Sequence, residues 1–185
     1  MHILALLIGL ISILGLAATA GGEAPLQDHT PQDGPPKPAP ELKQLEAFVG
    51  TWDATVEMMG QTSKGTETCR LGLGGFFLIT DHDGSFMGMP FKGHGVTGWD
   101  AASKSFQGIW ADSSGSPMTE VKEARFSRDG TVYSASAGGL DFSGKPAQFR
   151  HVTTFKGKDN RIYDTFQITP DGEQLVMKIR YTRQK

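Results

Sequence analysis

Four polar side chains share alternating runs with apolar neighbours and could face the inside of a folded sheet. Glu67 runs with Cys69 and Leu71, and Asp112 follows Phe106, Gly108 and Trp110. His151 sits between Phe149 and Thr153, and Asp164 between Ile162 and Phe166. A carboxylate taken out of water must be paired, protonated or wet. A cavity holding water and ligand meets that need better than a packed core. The chemistry open to such groups is proton transfer or recognition of a ligand's polar end. A turn near residues 157–160 would bring His151 diagonal to Asp164. A tight turn near residues 59–62 would set Glu67 opposite Ala54. If the last strand closes onto the first, Tyr181 flanks Ala54 from the other side, within reach of Glu67. For both pairs a structural role and a ligand contact stay open. A catalytic dyad needs a nucleophile within about 3 Å, and no spacing nominates one, so no catalytic residue is assigned.

The candidate ligand-binding residues are therefore Glu67, Tyr181, His94, Trp110, Asp112, His151 and Asp164. His94 lies between Gly93 and Gly95, which could let a strand bend or leave cavity space. A plainly exposed histidine fits the same three residues. Several chemistries are excluded by absence of their motifs: there is no nucleophile elbow, His-Glu-x-x-His, phosphate-binding Gly-rich loop or Cys-x-x-Cys. Of the five histidines, His82, His94 and His151 lie in the strand-rich part, without zinc-ligand spacing. No metal and no cofactor are expected. A net charge of −2 gives no electrostatic case for nucleic acid.

The elements that must position these groups begin at Phe48-Val49-Gly50-Thr51-Trp52. Before it, Glu41 to Phe48 carries Leu42, Leu45 and Phe48 at helical spacing. After Gly50 the period becomes two: Trp52, Ala54, Val56 and Met58 alternate with Thr51, Asp53, Thr55 and Glu57. Further strands are expected near 63–73, 75–83, 90–99, 104–112, 118–127, 131–137, 147–156, 161–169 and 173–183. Gly74-Gly75, Asp83-Gly84, Asp129-Gly130, Ser143-Gly144, residues 158–160 and Pro170-Asp171-Gly172 supply turn chemistry between many of them. About ten strands with tight connections predict an all-β, antiparallel up-and-down barrel with one short N-terminal helix. Closure avoids bare strand edges. It would place Arg183 beside Trp52, plugging one end through a cation–π contact. Inward aromatics would be Trp52, Trp110, Phe149 and Phe166. Phe76 to Ile79 is apolar on both faces, which calls for cover outside by the short helix or a partner. Met87-Gly88-Met89-Pro90 joins two strands and could cap a pocket with adaptable apolar surface.

Gly50-x-Trp52 after a short helix, with an Arg near the end of the last strand, resembles the lipocalin and fatty-acid-binding (calycin) superfamily. Residues 63–68 (Ser-Lys-Gly-Thr-Glu-Thr), 87–95 (Met-Gly-Met-Pro-Phe-Lys-Gly-His-Gly) and 181–183 (Tyr-Thr-Arg) resemble an uncharacterised bacterial domain-of-unknown-function family, regarded as calycin-like. The likeness spans about residues 42–184. It implies the barrel fold and no particular activity. Some related barrels bind haem through a histidine, which makes haem chemistry one form of the enzyme alternative.

The N-terminus reads as an address. Ile3 to Leu16 is nearly all apolar and Ala18-Thr19-Ala20 offers a small-x-small cleavage pattern, so residues 1–20 are expected to be a signal peptide. Residues 21–40, rich in Pro, Gly, Asp and Gln, read as a disordered tether, and 41–185 as the barrel domain. The protein is expected to be exported, periplasmic or extracellular, with a membrane as partner only if the apolar segment stays uncleaved. The single Cys69 cannot form an internal disulfide. The expected partner is a small apolar or amphipathic ligand inside the barrel. The alternatives are an interaction protein with a filled barrel and an enzyme using Glu67, His151 and Asp164.

Overall fold

The computed structural model describes residues 34–185. The expected signal peptide and the tether before residue 34 lie outside the described residues. A short 3₁₀ helix, Pro40–Ala47, comes first. Ten strands follow: β1 (Gly50–Met58), β2 (Gln61–Gly72), β3 (Phe77–Phe86), β4 (Met89–Asp100), β5 (Ser105–Asp112), β6 (Thr119–Phe126), β7 (Val132–Leu140), β8 (Pro146–Phe155), β9 (Asn160–Thr169) and β10 (Gly172–Arg183). Each pairs antiparallel with its neighbours in sequence, and β10 returns to β1 to close the barrel. In this 3₁₀ helix and its cap, Leu42, Leu45 and Phe48 recur every third residue and so fall on one face.

Two hairpins fix the registers that matter most. Met59 (φ 52°) and Gly60 (φ 72°) form a two-residue turn between β1 and β2, and Met87 (φ 51°) and Gly88 (φ 78°) do the same between β3 and β4. Such turns match the twist of the strands they join. The first pairs Met58 with Gln61, which sets Glu67 opposite Trp52 and Gly65 opposite Ala54. This corrects the expected four-residue turn, which set Glu67 two residues further along.

At the seam Trp52 faces Arg183 and Ala54 faces Tyr181, the register expected from the sequence. The Arg183 guanidinium carbon lies 4.0 Å from the centre of the Trp52 ring, a contact of about 0.5–2 kcal/mol. Arg183 Nη1 also donates to the Val49 carbonyl at 2.5 Å and Nε to the Lys158 carbonyl at 3.0 Å. The Trp52 indole N–H donates to the Phe48 carbonyl at 2.8 Å, tying the strand to the residue that caps the helix.

The helix drives Leu42, Leu45 and Phe48 into this end of the barrel, against Cys69, Leu78, Phe106, Ala124 and Ala135. Phe48 meets Phe126, Tyr133 and Phe155 edge to face, with centroids 6.1, 5.3 and 5.0 Å away. Edge-to-face pairs add about 0.5–1.5 kcal/mol each beyond the area they bury. On the outer wall, Phe77 lies over Gly98 and Ile79 over Gly72. Glycine gaps in the neighbouring strands therefore take up apolar side chains for which an outer cover was expected.

Candidate functional site

Pairing assigns every strand residue to a wall. Trp52, Glu67, His82, Gly93 and Asp112 share the inner face through successive registers, and Phe149, His151, Thr165, Tyr163, Arg161 and Tyr181 share it on the far side of the seam. Three groups of polar side chains stand on that face, at different depths.

The deepest is at the helix-capped end. Glu67 is 6% and Arg161 3% exposed. The Arg161 Nη2 donates to Glu67 Oε1 in a buried ion pair. Tyr181 donates its O–H to Glu67 Oε2 at 2.8 Å, and the Cys69 thiol donates to Glu67 Oε1 at 3.4 Å. The Arg161 guanidinium carbon lies 3.9 Å from the Tyr181 ring centre, 4.6 Å from Trp52 and 5.3 Å from Phe48. Aromatic faces and one carboxylate thus replace water around the cation. Burial works against its charge, but Glu67 and its neighbours outweigh that and hold its pKa above the ordinary value. Burial and the adjacent Glu67 push the Cys69 thiol up to about 12 and the Tyr181 hydroxyl well above its usual range. These groups are locked in their protonated forms, and the cluster has the chemistry of a structural polar plug. Glu67 and Tyr181 meet as the sequence suggested. Arg161, which organises the cluster, did not emerge from the sequence, because it follows the polar turn at 158–160 and reads as a solvated charge.

The second group lies midway. His151 Nδ1 is 2.8 Å from the Tyr163 hydroxyl and 3.2 Å from Thr165 Oγ1, and its ring stacks on Tyr163 at 10°. Burial pulls the His151 pKa down to about 4 and pushes Tyr163 up to about 12. Both are neutral at pH 7. His151 is nonetheless only half-buried. Its Nε2 has no hydrogen-bond partner among the described residues and is not sealed from solvent.

The third group is near the opposite, open end. Asp112 accepts a hydrogen bond from Trp110 Nε1 at 3.0 Å and from the Ser114 backbone N–H at 2.9 Å. The Trp110 ring lies flat across Gly93 and Gly95, where a Cβ at Gly93 would come within 2.1 Å of it. The glycines beside His94 leave room for an indole. Val56, Met58, Phe91, Phe149, Gln167 and Met177 also face inward here and remain partly accessible. All five hairpins at this end carry exposed apolar side chains: Met59, Met87 with Met89, Met118, Leu140 with Phe142, and Ile168 with Leu175.

Two candidates and one aromatic point the other way. Val152 pairs with Asp164 while His151 pairs with Thr165, so Asp164 faces outward, with Ile162 and Phe166. Asp164 forms an ion pair with Lys178, and Phe166 lies under Arg150 at 4.7 Å. No His151–Asp164 pair exists. His94 also faces outward, 2.6 Å from Asp81 and half-exposed. Apolar residues on the outer wall of β9 made that face look internal.

The geometry has parallels among known proteins. The family described as "Protein of unknown function (DUF1579)" matches residues 37–183. The crystal structure of Rv2717c from M. tuberculosis is similar over 80% of this chain and 100% of that one, at 16% identity and a TM-score of 0.59. The S-type phycobiliprotein lyase CPES from Guillardia theta shares 14% identity over 80% of this chain and 99% of that one, with a TM-score of 0.47. A redesigned β-barrel, mFAP1, bound to DFHBI, shares 14% identity over 78% of this chain and 100% of that one, with a TM-score of 0.40. A comparison with curated proteins gave no match. The likeness to Rv2717c shows a shared barrel fold.

Proposed function

The chain belongs to the family described as "Protein of unknown function (DUF1579)", and from the unequal ends of its barrel we propose that it binds a small apolar or amphipathic molecule through the open end. The observation that carries this is the convergence of partly accessible inward side chains, Trp110, Phe149, His151 and Gln167, beneath a rim of exposed Met, Leu, Ile and Phe. A site of this kind offers apolar walls with a few placed polar groups. Methionines on hairpin tips adapt to an entering molecule because the thioether chain is flexible and polarizable.

The test is displacement of an uncharged, environment-sensitive dye. Phe149→Ala should weaken dye binding by about tenfold, roughly 1.4 kcal/mol, while Phe77→Ala on the outer wall should not. If the dye and the molecules co-purifying from the native host show no affinity for the barrel, the reading is wrong.

The exposed rim also favours a second reading, a docking surface for a partner, since large exposed apolar patches mark contacts. A sedimentation profile that is monomeric and unchanged by host extract would count against it. We place the protein outside the cytoplasm on the strength of the apolar run Ile3–Leu16 and Ala18-Thr19-Ala20. N-terminal sequencing of the mature chain from its host tests that.

A further inference from the structure

Among the described residues the inner wall has no uncommitted Lys or Arg. Arg161 and Arg183 are the Lys or Arg residues at inner-face positions of the strands, and both stand at the helix-capped end. Arg161 is bound to Glu67 and enclosed by the rings of Trp52, Tyr181 and Phe48. Arg183 is used by the Val49 and Lys158 carbonyls and the Trp52 ring. Lys178, Arg150 and Lys92 lie on the outer wall, where each is paired with a carboxylate. Towards the open end the inward polar groups include the Asp112 carboxylate, the neutral His151 and the Gln167 amide, and His82, buried on the same face beside Gly93, has its pKa lowered by that burial.

We propose that the ligand is uncharged at its buried end, an apolar molecule whose carbonyl or hydroxyl meets His151 Nε2, and that anionic amphiphiles are rejected. The proposal rests on the ligand-binding reading above. A carboxylate drawn below the rim would lose its water, meet no cation and approach Asp112, a like charge. Neutral His151 serves an uncharged group in either tautomer. When Nδ1 accepts from the Tyr163 hydroxyl, Nε2 carries the proton and donates to a carbonyl. In the other tautomer Nε2 accepts from a hydroxyl.

The experiment uses four molecules of one chain length, an alkane, a methyl ketone, a primary alcohol and a carboxylate, competing at pH 8 with the uncharged dye on the full chain. The ketone and the alcohol should bind at least about tenfold more tightly than the carboxylate. His151→Phe should abolish the advantage of ketone over alkane. His151→Gln, which keeps a hydrogen-bonding group, should retain part of it. Asp112→Asn should narrow the gap between ketone and carboxylate. A carboxylate that binds as tightly as the ketone overturns the charge rule and leaves ligand binding intact. Failure of the dye and all four molecules to bind overturns the ligand-binding reading, and the charge rule falls with it.

Discussion

The two ends of the barrel solve the same problem, how to finish a closed sheet, in opposite ways. At one end a 3₁₀ helix inserts three apolar side chains, aromatic edges fill the space beneath them, and an ion pair is sealed under Trp52. At the other end no element among the described residues covers the lumen, the inward side chains are partly accessible, and apolar residues project from every hairpin. The capped end is built for stability, and burial beside Glu67 holds the Cys69 thiol and the Tyr181 hydroxyl protonated. The open end tolerates water and exposed apolar surface, which a purely structural barrel has no need of.

Substitution separates the ends most sharply at Arg161. Arg161→Met leaves Glu67 buried without its cation, and should cost about 3–5 kcal/mol in urea unfolding. A loss below about 1 kcal/mol would mean that the ion pair is not the keystone of the capped end. A smaller loss follows acidification. His151 titrates near 4 in the fold, below its ordinary 6.5, because burial disfavours its charged form. The folded state binds fewer protons than the unfolded one. The contribution is therefore complete above pH 6.5 and declines as pH falls towards 4. His151→Phe should flatten that decline. It should leave the part due to His82, which burial shifts the same way. Cys69, with its thiol near 12, should resist iodoacetamide at pH 8 until the barrel unfolds, since the thiolate is the reactive form. Fast labelling of native protein would show that the capped end opens. The smallest effect belongs to the rim: Met87→Ser and Phe142→Ser should change stability by less than about 0.5 kcal/mol while weakening dye binding.

Much of the scaffold was legible because alternation and turn residues are local signals. Trp52 facing Arg183 and Ala54 facing Tyr181 follow from two strand patterns and one closure rule, and the pairing has that register. Registers across a loop are harder. Glu67 falls opposite Ala54 only if the turn takes four residues, whereas Met59 and Gly60 make it alone. Faces fail where both sides of a strand are apolar. Ile162 and Phe166 drew Asp164 inward in the reading of β9, although they lie outside with it. Arg161 shows a deeper limit. A charge beside a polar turn is ordinarily solvated, and only the assembled ring reveals three aromatic faces and a carboxylate waiting for it.

The seam between β1 and β10 has a consequence for how the molecule is made. Every other strand pair joins neighbours in sequence and can form as soon as its hairpin is synthesised. The seam joins Trp52 to Arg183, on the first and last strands of the barrel. Until that arginine is available the growing sheet has an unpaired strand at its edge, a template for association with other chains. Closing the ring also requires the most distant pairing in the fold, a topological feature that slows folding. Deleting residues 181–183 should therefore do more than fray a strand end. It should leave an open sheet that self-associates in proportion to its concentration, a behaviour that light scattering during refolding would follow directly.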